Sequence, residues 1–202
     1  MVPTTLLNRI NEYPFLDQLS SIYQEKELKL FLVGGAVRDF ILDIDTTDFD
    51  FTTNASPEES LKLLNEYGFR TTKIGIKYGT IEALIGEYTA HITQFRSDTY
   101  DKDSRKPNID KTEDIEQDLI RRDFTLNSIA FDIKQKELID PCNGLKDLSE
   151  GLLKTPADPN ISFSEDPLRM IRLCRFISSH GFAPDKDTFK SIQENLHRVE
   201  IV

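Results

Sequence analysis

Between residues 28 and 52 the hydrophobic pattern changes period twice, and this constrains the fold more than any other feature of the chain. The run Leu28-Lys29-Leu30-Phe31-Leu32-Val33 is short, nearly all apolar and closed by Gly34-Gly35, which reads as a buried strand. Ala36 to Leu42 then reads as a helix opening on the glycine pair. Asp48-Phe49-Asp50-Phe51-Thr52 alternates polar and apolar with period two, the pattern of a half-buried strand. The chain is therefore expected to mix strands and helices.

The same reasoning extends along the sequence. Residues 5–24 carry apolar side chains at roughly helical spacing, with Pro14 expected to break or kink the helix. Ser56-Pro57-Glu58-Glu59 offers a capping Ser, a Pro at the first helical position and a Glu three residues on, so a helix is expected over about 57–67, stopping at Gly68. Strands 80–85 and 88–95 should form a hairpin across Gly86-Glu87. Residues 97–114 have almost nothing apolar and are expected to be a mobile loop. Ile115 to Ala130 is predicted to be helical, 131–140 a strand or hairpin, and the chain mainly helical from Leu145.

Composition narrows the function classes. The formal net charge of −10 argues against a protein that grips nucleic acid by bulk positive charge, so any RNA contact must be local. No apolar run approaches the roughly 20 residues needed to span a bilayer, and the N-terminus lacks a secretory pattern, so a cytoplasmic protein with no membrane partner is expected. Cys142 and Cys174 have no metal-ligand spacing and read as small buried thiols.

Three clusters could carry chemistry. Asp48 and Asp50, two apart on a strand, put both carboxylates on one face, where they could share divalent cations. An Asp-x-Asp alone is usually a solvated strand face, but Gly34-Gly35 and Arg38 upstream change the reading. Paired glycines let backbone N–H groups approach a phosphate, and Arg38 can add a bidentate contact. Neither GxGxxG nor GxxxxGK[ST] occurs, so a dinucleotide fold and a P-loop are unsupported. In Arg121-Arg122-Asp123-Phe124-Thr125-Leu126-Asn127, a helix would put Asp123 and Asn127 on one face for sugar hydroxyls, with Arg122 reaching phosphate. In the third cluster, a helix capped by Ser164 and ending near Gly181 would bury Met170, Leu173, Cys174 and Ile177. It would align Asp166, Arg169 and Arg172 on another face, able to hydrogen-bond a base edge.

Together these segments resemble the class II tRNA nucleotidyltransferase and bacterial poly(A) polymerase family, within the DNA polymerase beta superfamily. Its motifs are matched in order by Gly34-Gly35-Ala36-Val37-Arg38-Asp39 with Asp48-Phe49-Asp50, by 121–127, by Asp140-Pro141-Cys142-Asn143-Gly144-Leu145-Lys146-Asp147-Leu148, and by Glu165-Asp166-Pro167-Leu168-Arg169 through Phe176. The resemblance implies an α+β fold: a small mixed-sheet nucleotidyltransferase head over 1–140 with flanking helices, then a helical neck over 141–202. It implies a metal-dependent enzyme that adds CMP and/or AMP from CTP or ATP to the 3′ end of tRNA without a nucleic-acid template, releasing pyrophosphate. Asp48 and Asp50 would be catalytic and bind Mg²⁺ or Mn²⁺. Gly34, Gly35, Arg38 and Arg122 would hold the triphosphate, Asp123 and Asn127 the ribose, Asp166 and Arg169 the base, and Arg172 and Arg175 phosphate or the helix face.

The family commonly has a carboxylate where His91 stands. Members also continue past the position of Val202 into further neck, body and tail helices, so this sequence is read as a head with a truncated neck, expected to bind nucleotide but hold tRNA weakly. Two alternatives remain open, a poly(A) polymerase acting on RNA 3′ ends and a catalytically silent nucleotide-binding module. Against the second stands the retention of Asp48, Asp50 and Arg38, since burying a carboxylate pair without a use would be costly.

Overall fold

The computed structural model describes residues 1–100 and 107–202, without the side chain of Ile201. In chain order its helices are α1 (Thr4–Asn11), α2 (Pro14–Gln24), α3 (Gly35–Ile41), α4 (Pro57–Glu66), α5 (Ile115–Ile120), α6 (Gly144–Glu150), α7 (Pro159–Glu165), α8 (Leu168–His180) and α9 (Lys186–Asn195). The strands are β1 (Leu30–Val33), β2 (Asp48–Thr53), β3 (Arg70–Thr72), β4 (Thr80–Ile85), β5 (Tyr88–Gln94), β6 (Arg96–Thr99), β7 (Asn108–Lys111), β8 (Ala130–Asp132), β9 (Glu137–Ile139), β10 (Leu152–Leu153) and β11 (Ala183–Pro184). They cluster into two compact units. The first comprises residues 1–95, 111–115 and 129–139, the second 96–110, 116–128 and 140–202.

The first unit is built on a seven-stranded mixed sheet ordered β3-β4-β5-β2-β1-β8-β9. β2 runs parallel to β5 and antiparallel to β1. This is the small mixed sheet of an α+β fold. Pro14 separates α1 from α2 and sits at the first position of the second, where its missing N–H costs nothing. The capping box forms as expected: Ser56 Oγ accepts from Glu59 N at 3.2 Å, and Glu59 Oε2 accepts from Ser56 N at 2.8 Å. On the helix-packed side of the sheet, Phe49 and Phe51 are fully buried. The Phe49 ring centroid lies 4.9 Å from that of Phe15 and 5.2 Å from that of Tyr13, so β2 is nailed to the core by aromatics at alternate positions.

In the second unit, β6 and β7 pair as a two-stranded ribbon and β10 pairs in parallel with β11. The 97–114 segment is thus not patternless throughout, because backbone ladder bonds tolerate polar side chains; 101–106 lie outside the described residues. The long helix expected over 115–130 is also corrected. α5 stops at Ile120, a 3₁₀ turn covers Thr125–Asn127, and β8 begins at Ala130.

The neck helix differs too. Ser164 lies inside α7, whose cap is Asp158, accepting from Asn160 N and Ile161 N. The chain breaks at Asp166, with φ −131° and ψ 92°, the extended backbone favoured before Pro167. α8 starts afresh at Leu168 and closes on Gly181 in the left-handed region, φ 70°. Its buried face is Arg169, Met170, Leu173 and Phe176, while Cys174 and Ile177 are exposed. The stripe rotates because Phe176 packs edge-on against Phe124, centroids 5.5 Å apart, and Arg169 turns inward onto polar partners. No helix among the described residues is long and apolar enough to cross a membrane.

Candidate functional site

β1 and β2 are antiparallel with Val33 opposite Asp50, so the chain leaving β1 turns at Gly34 beside the start of β2. Gly34 adopts φ 68° and ψ −131°, a region open essentially to glycine alone. Gly35 leaves space above its Cα: a Cβ there would sit 3.7 Å from Arg38 Nη2. Arg38, only 8% exposed, is folded over this turn and ion-paired with Asp39 at 2.7 Å. One connection of 17 residues, 34–50, therefore carries the glycine turn, the arginine and both carboxylates.

On β2 the alternation holds as expected: Asp48 and Asp50 are exposed on one face, Phe49 and Phe51 buried on the other. The Asp48 side chain is 67% exposed, so the idea of a costly buried pair does not hold; the pair is solvated. His91 stands opposite Asp50 on β5, and its Nε2 lies 3.1 Å from Asp48 Oδ1. Sequence reasoning noted His91 as a departure and missed this contact, which parallel pairing of distant strands creates.

The exit turn of α3 is held from α1. Arg9 donates from Nε to Asp43 Oδ1, from Nη1 to Asp45 Oδ1 and to Glu12 Oε2, each at 2.8 Å, and from Nη2 to the Asp43 carbonyl. Asp43 itself is in the left-handed region, φ 61°. Thr5 Oγ1 adds a bond to the Ile41 carbonyl at 3.0 Å. Nothing in the local sequence flags Arg9 as the anchor of this turn, because Asp43 and Asp45 lie more than 30 residues away.

The second unit gathers the other candidates. Asp118 is fully buried, bonded to Arg121 at 2.8 Å and Arg122 at 3.1 Å. Burial would push its carboxyl up, but the two arginines outweigh that and hold it below the ordinary range. Arg122 keeps one buried donor, Nε, without a partner. Asp123 is saturated: Oδ1 accepts from Asn127 Nδ2 at 3.0 Å and Phe124 N at 2.8 Å, while Oδ2 pairs with Arg172 at 2.7 Å. Its carboxyl too is depressed, Arg172 and the hydrogen bonds overcoming burial. Asp123 and Asn127 thus meet as expected, although through a 3₁₀ turn.

Arg169 is 7% exposed and donates to Ser162 Oγ at 2.6 Å and to the Arg121 carbonyl at 2.7 Å. Asp166 does not share a helical face with it. It lies in the α7–α8 break, where Oδ1 accepts from Leu168 N at 3.1 Å. Arg172 is turned onto Asp123, and Arg175 is exposed with its guanidinium 5.6 Å from the Phe176 centroid. The third motif is architectural: Asp140 caps Gly144 N and Leu145 N, and Asp147 bonds Thr125 Oγ1 and Lys154 Nζ.

The family model described as the poly A polymerase head domain matches residues 30–154. This chain belongs to that family. Within it, the CCA-adding enzyme of Ligilactobacillus salivarius strain UCC118 is 36% identical over 188 residues, covering 93% of this chain and 44% of that protein. Among solved structures, the Bacillus stearothermophilus CCA-adding enzyme in complex with CTP superposes with a TM-score of 0.81 at 31% identity, over 94% of this chain and 45% of that one. A tRNA nucleotidyltransferase complexed with a primer tRNA and an incoming ATP analog gives a TM-score of 0.72 at 28% identity, over 90% and 50%. The chain therefore spans less than half the length of that curated relative.

Proposed function

We propose that this chain is the catalytic and nucleotide-selecting portion of a tRNA nucleotidyltransferase, which transfers CMP and/or AMP from CTP or ATP to the 3′ end of tRNA. The observation that carries this reading is the exposed Asp48–Asp50 pair directly beside the Gly34-Gly35 turn. Relatives are described as CCA-adding enzymes, and similar structures hold CTP or a primer tRNA with an ATP analog. In the sequence, 1–140 is assigned to the head and 141–202 to the neck, in a cytoplasmic protein.

The 3′-hydroxyl of the RNA loses its proton to solvent as its oxygen attacks the α-phosphorus, the new P–O bond forms as the bond to the bridging α–β oxygen breaks, and pyrophosphate leaves with that oxygen. Asp48 and Asp50 fit a divalent cation: two solvated hard-oxygen donors on one strand face. Mg²⁺ takes one or two carboxylates and fills its shell with phosphate and water, so this pair is enough to hold it. When bound, the cation supplies charge neutralisation on the triphosphate and the attacking oxygen. Gly34 and Gly35 present backbone N–H groups without side chains in the way, and Arg38 contributes its guanidinium by exchanging Asp39 for phosphate.

In the second unit, Asp166 and Arg169 select the base, Arg122 and Arg175 address phosphate, and Asn127 addresses the ribose. Asp123 shares the ribose role with that of fixing Arg172 and Asn127. The test is incubation of tRNA lacking its 3′ terminal nucleotides with one labelled nucleotide at a time and sequencing of the product. Incorporation of C or A that stops after a defined number of residues supports the reading. A long A tract identifies a poly(A) polymerase, and no incorporation with intact CTP binding identifies a silent module.

A further inference from the structure

Residues 67–81, bounded by Glu66 and Glu82, contain no acidic residue and three basic ones, Arg70, Lys73 and Lys77, in a chain with 35 acidic residues. The longer acid-free stretch, 167–184, holds the α8 arginines already assigned. The 67–81 stretch serves no role so far. It forms edge strand β3 of the first unit and the turn after it.

That turn is shaped, not slack. Gly75 and Gly79 both lie in the left-handed region, φ 87° and 78°, flanking a 3₁₀ turn over Ile76–Tyr78. Tyr78 N donates to the Gly75 carbonyl at 2.7 Å, and Gln94 N on β5 donates to the Gly79 carbonyl at 2.9 Å. A Cβ on Gly75 would come 3.3 Å from Thr80 Cβ, so the close return of the chain needs glycine there. The turn presents Ile74 at 72% exposure and Tyr78 at 46%, with Lys77 Nζ 5.7 Å from the Tyr78 ring centroid.

The turn is also tied to the candidate site by register. Thr72 pairs with Glu82, Glu82 with His91, and His91 with Asp50, so these four share one sheet face across β3-β4-β5-β2. Three strand spacings separate Thr72 from Asp50, about 14 Å. Thr80 and Thr93 lie in the row next to this one on the same face, their hydroxyls 2.9 Å apart, while Ile81, Ala83 and Ile92 point into the core. Arg70 stands in the row of Asp48, through Leu84 and Thr89, whereas the turn continues past Thr72 toward the Thr53 end of the sheet, with Gly79 level with Thr53 and about 17 Å along the strand from Asp48, a span that the nucleotides preceding an RNA 3′ end can cover.

We propose that the edge turn 70–79 is a contact surface for the single-stranded 3′ end of RNA, with Arg70, Lys73 and Lys77 against phosphates and Tyr78 stacked on a base. This deepens the function proposed above and rests on it. Exposed cations alternating with an exposed ring suit phosphate neutralisation and base stacking. A protein partner fits worse, since interface cores are depleted in lysine. Three cations also fall short of the roughly four to eight that read as an anionic-lipid site.

The test is fluorescence anisotropy of a labelled single-stranded RNA of about ten nucleotides with a free 3′-OH, titrated with this chain from about 50 to 200 mM salt. Lys73→Ala/Lys77→Ala should weaken binding about tenfold and flatten log K against log salt by about 1.4, roughly 0.7 per lost phosphate contact. Tyr78→Ala should weaken binding about tenfold with the salt slope unchanged, and Tyr78→Phe should restore it. All three side chains are exposed, so folding is retained. The proposal is overturned by undetectable RNA binding at about 50 mM salt, or by wild-type affinity and slope in the double variant. CTP binding, measured by calorimetry on the same samples, separates the two claims. Intact CTP binding with unaltered RNA binding sinks the surface alone, whereas absent CTP binding in the parent chain sinks the function.

Discussion

Asp48 can be exchanged with little structural consequence, because its side chain is 67% exposed and its backbone is held by the sheet. Asp48→Ala should abolish incorporation while the thermal midpoint stays within about 2 °C, as a surface substitution changes stability by less than about 0.5 kcal/mol. A purified variant with most of its activity would refute the catalytic assignment. The two thiols offer a second comparison. Cys142 is half-buried, and burial, with Asp140 and Asp147 nearby, pushes its thiol up to about 11; Cys174 is exposed. Iodoacetamide near pH 8 should modify Cys174 well before Cys142, checked by mass spectrometry of the peptides. At this scale the carboxylate pair was legible, because period-two alternation is a local signal. The contacts His91–Asp48 and Arg9–Asp43 were not, since strand pairing and helix packing bring together residues 34 or more positions apart.

Elements were legible where a local cap or breaker sets the boundary, and misjudged where tertiary contacts decide. Pro14 and the Ser56–Glu59 box fix α2 and α4 from within the sequence. The stretch 115–130 was expected to be one helix, yet α5 ends at Ile120 and Asp123 turns inward onto Arg172, Asn127 and Phe124 N. The same arginine demand rotates α8, whose polar Arg169 lies inside where Cys174 was expected.

These ion pairs have a pH signature. Asp118 and Asp123 have folded pKa values below the ordinary range, so they stabilise the fold above the unfolded value of about 3.9 and lose that contribution as pH falls through the folded one. Denaturant midpoints should be flat from about pH 8 to 5 and fall steeply below about pH 4. Asp118→Asn should lower the plateau by roughly 3–5 kcal/mol, because two arginines lose a buried partner, and make the acid limb shallower. An unchanged acid limb would remove Asp118 from the account. For the α7–α8 break, Asp166→Ala should blur discrimination between CTP and ATP by about 1–3 kcal/mol in ratios of incorporation efficiency. Unaltered ratios would take base selection away from Asp166.

For the molecule as a whole, a net charge of −10 leaves affinity for polyanions to local patches, such as α8 and the 67–81 stretch. Strands β1, β2, β4 and β5 were readable because each carries a local apolar or alternating pattern, whereas the mixed sheet was expected only from the family resemblance, and β3 at its edge was not read. The division into two units was not readable. The chain passes between them at residues 95–96, 110–111, 115–116, 128–129 and 139–140, and a linear reading cannot reveal which segments return to which core. Under the proposed function, Asp48 and Asp50 make nucleotide binding by this chain depend on a divalent cation. Calorimetric titration of CTP into the 202-residue chain, with and without Mg²⁺, tests it most directly. Binding should tighten at least about tenfold with Mg²⁺ in the parent chain, and that gain should vanish in Asp48→Asn/Asp50→Asn while metal-free binding persists. Equal Mg²⁺ dependence in the parent and the double variant would contradict the account.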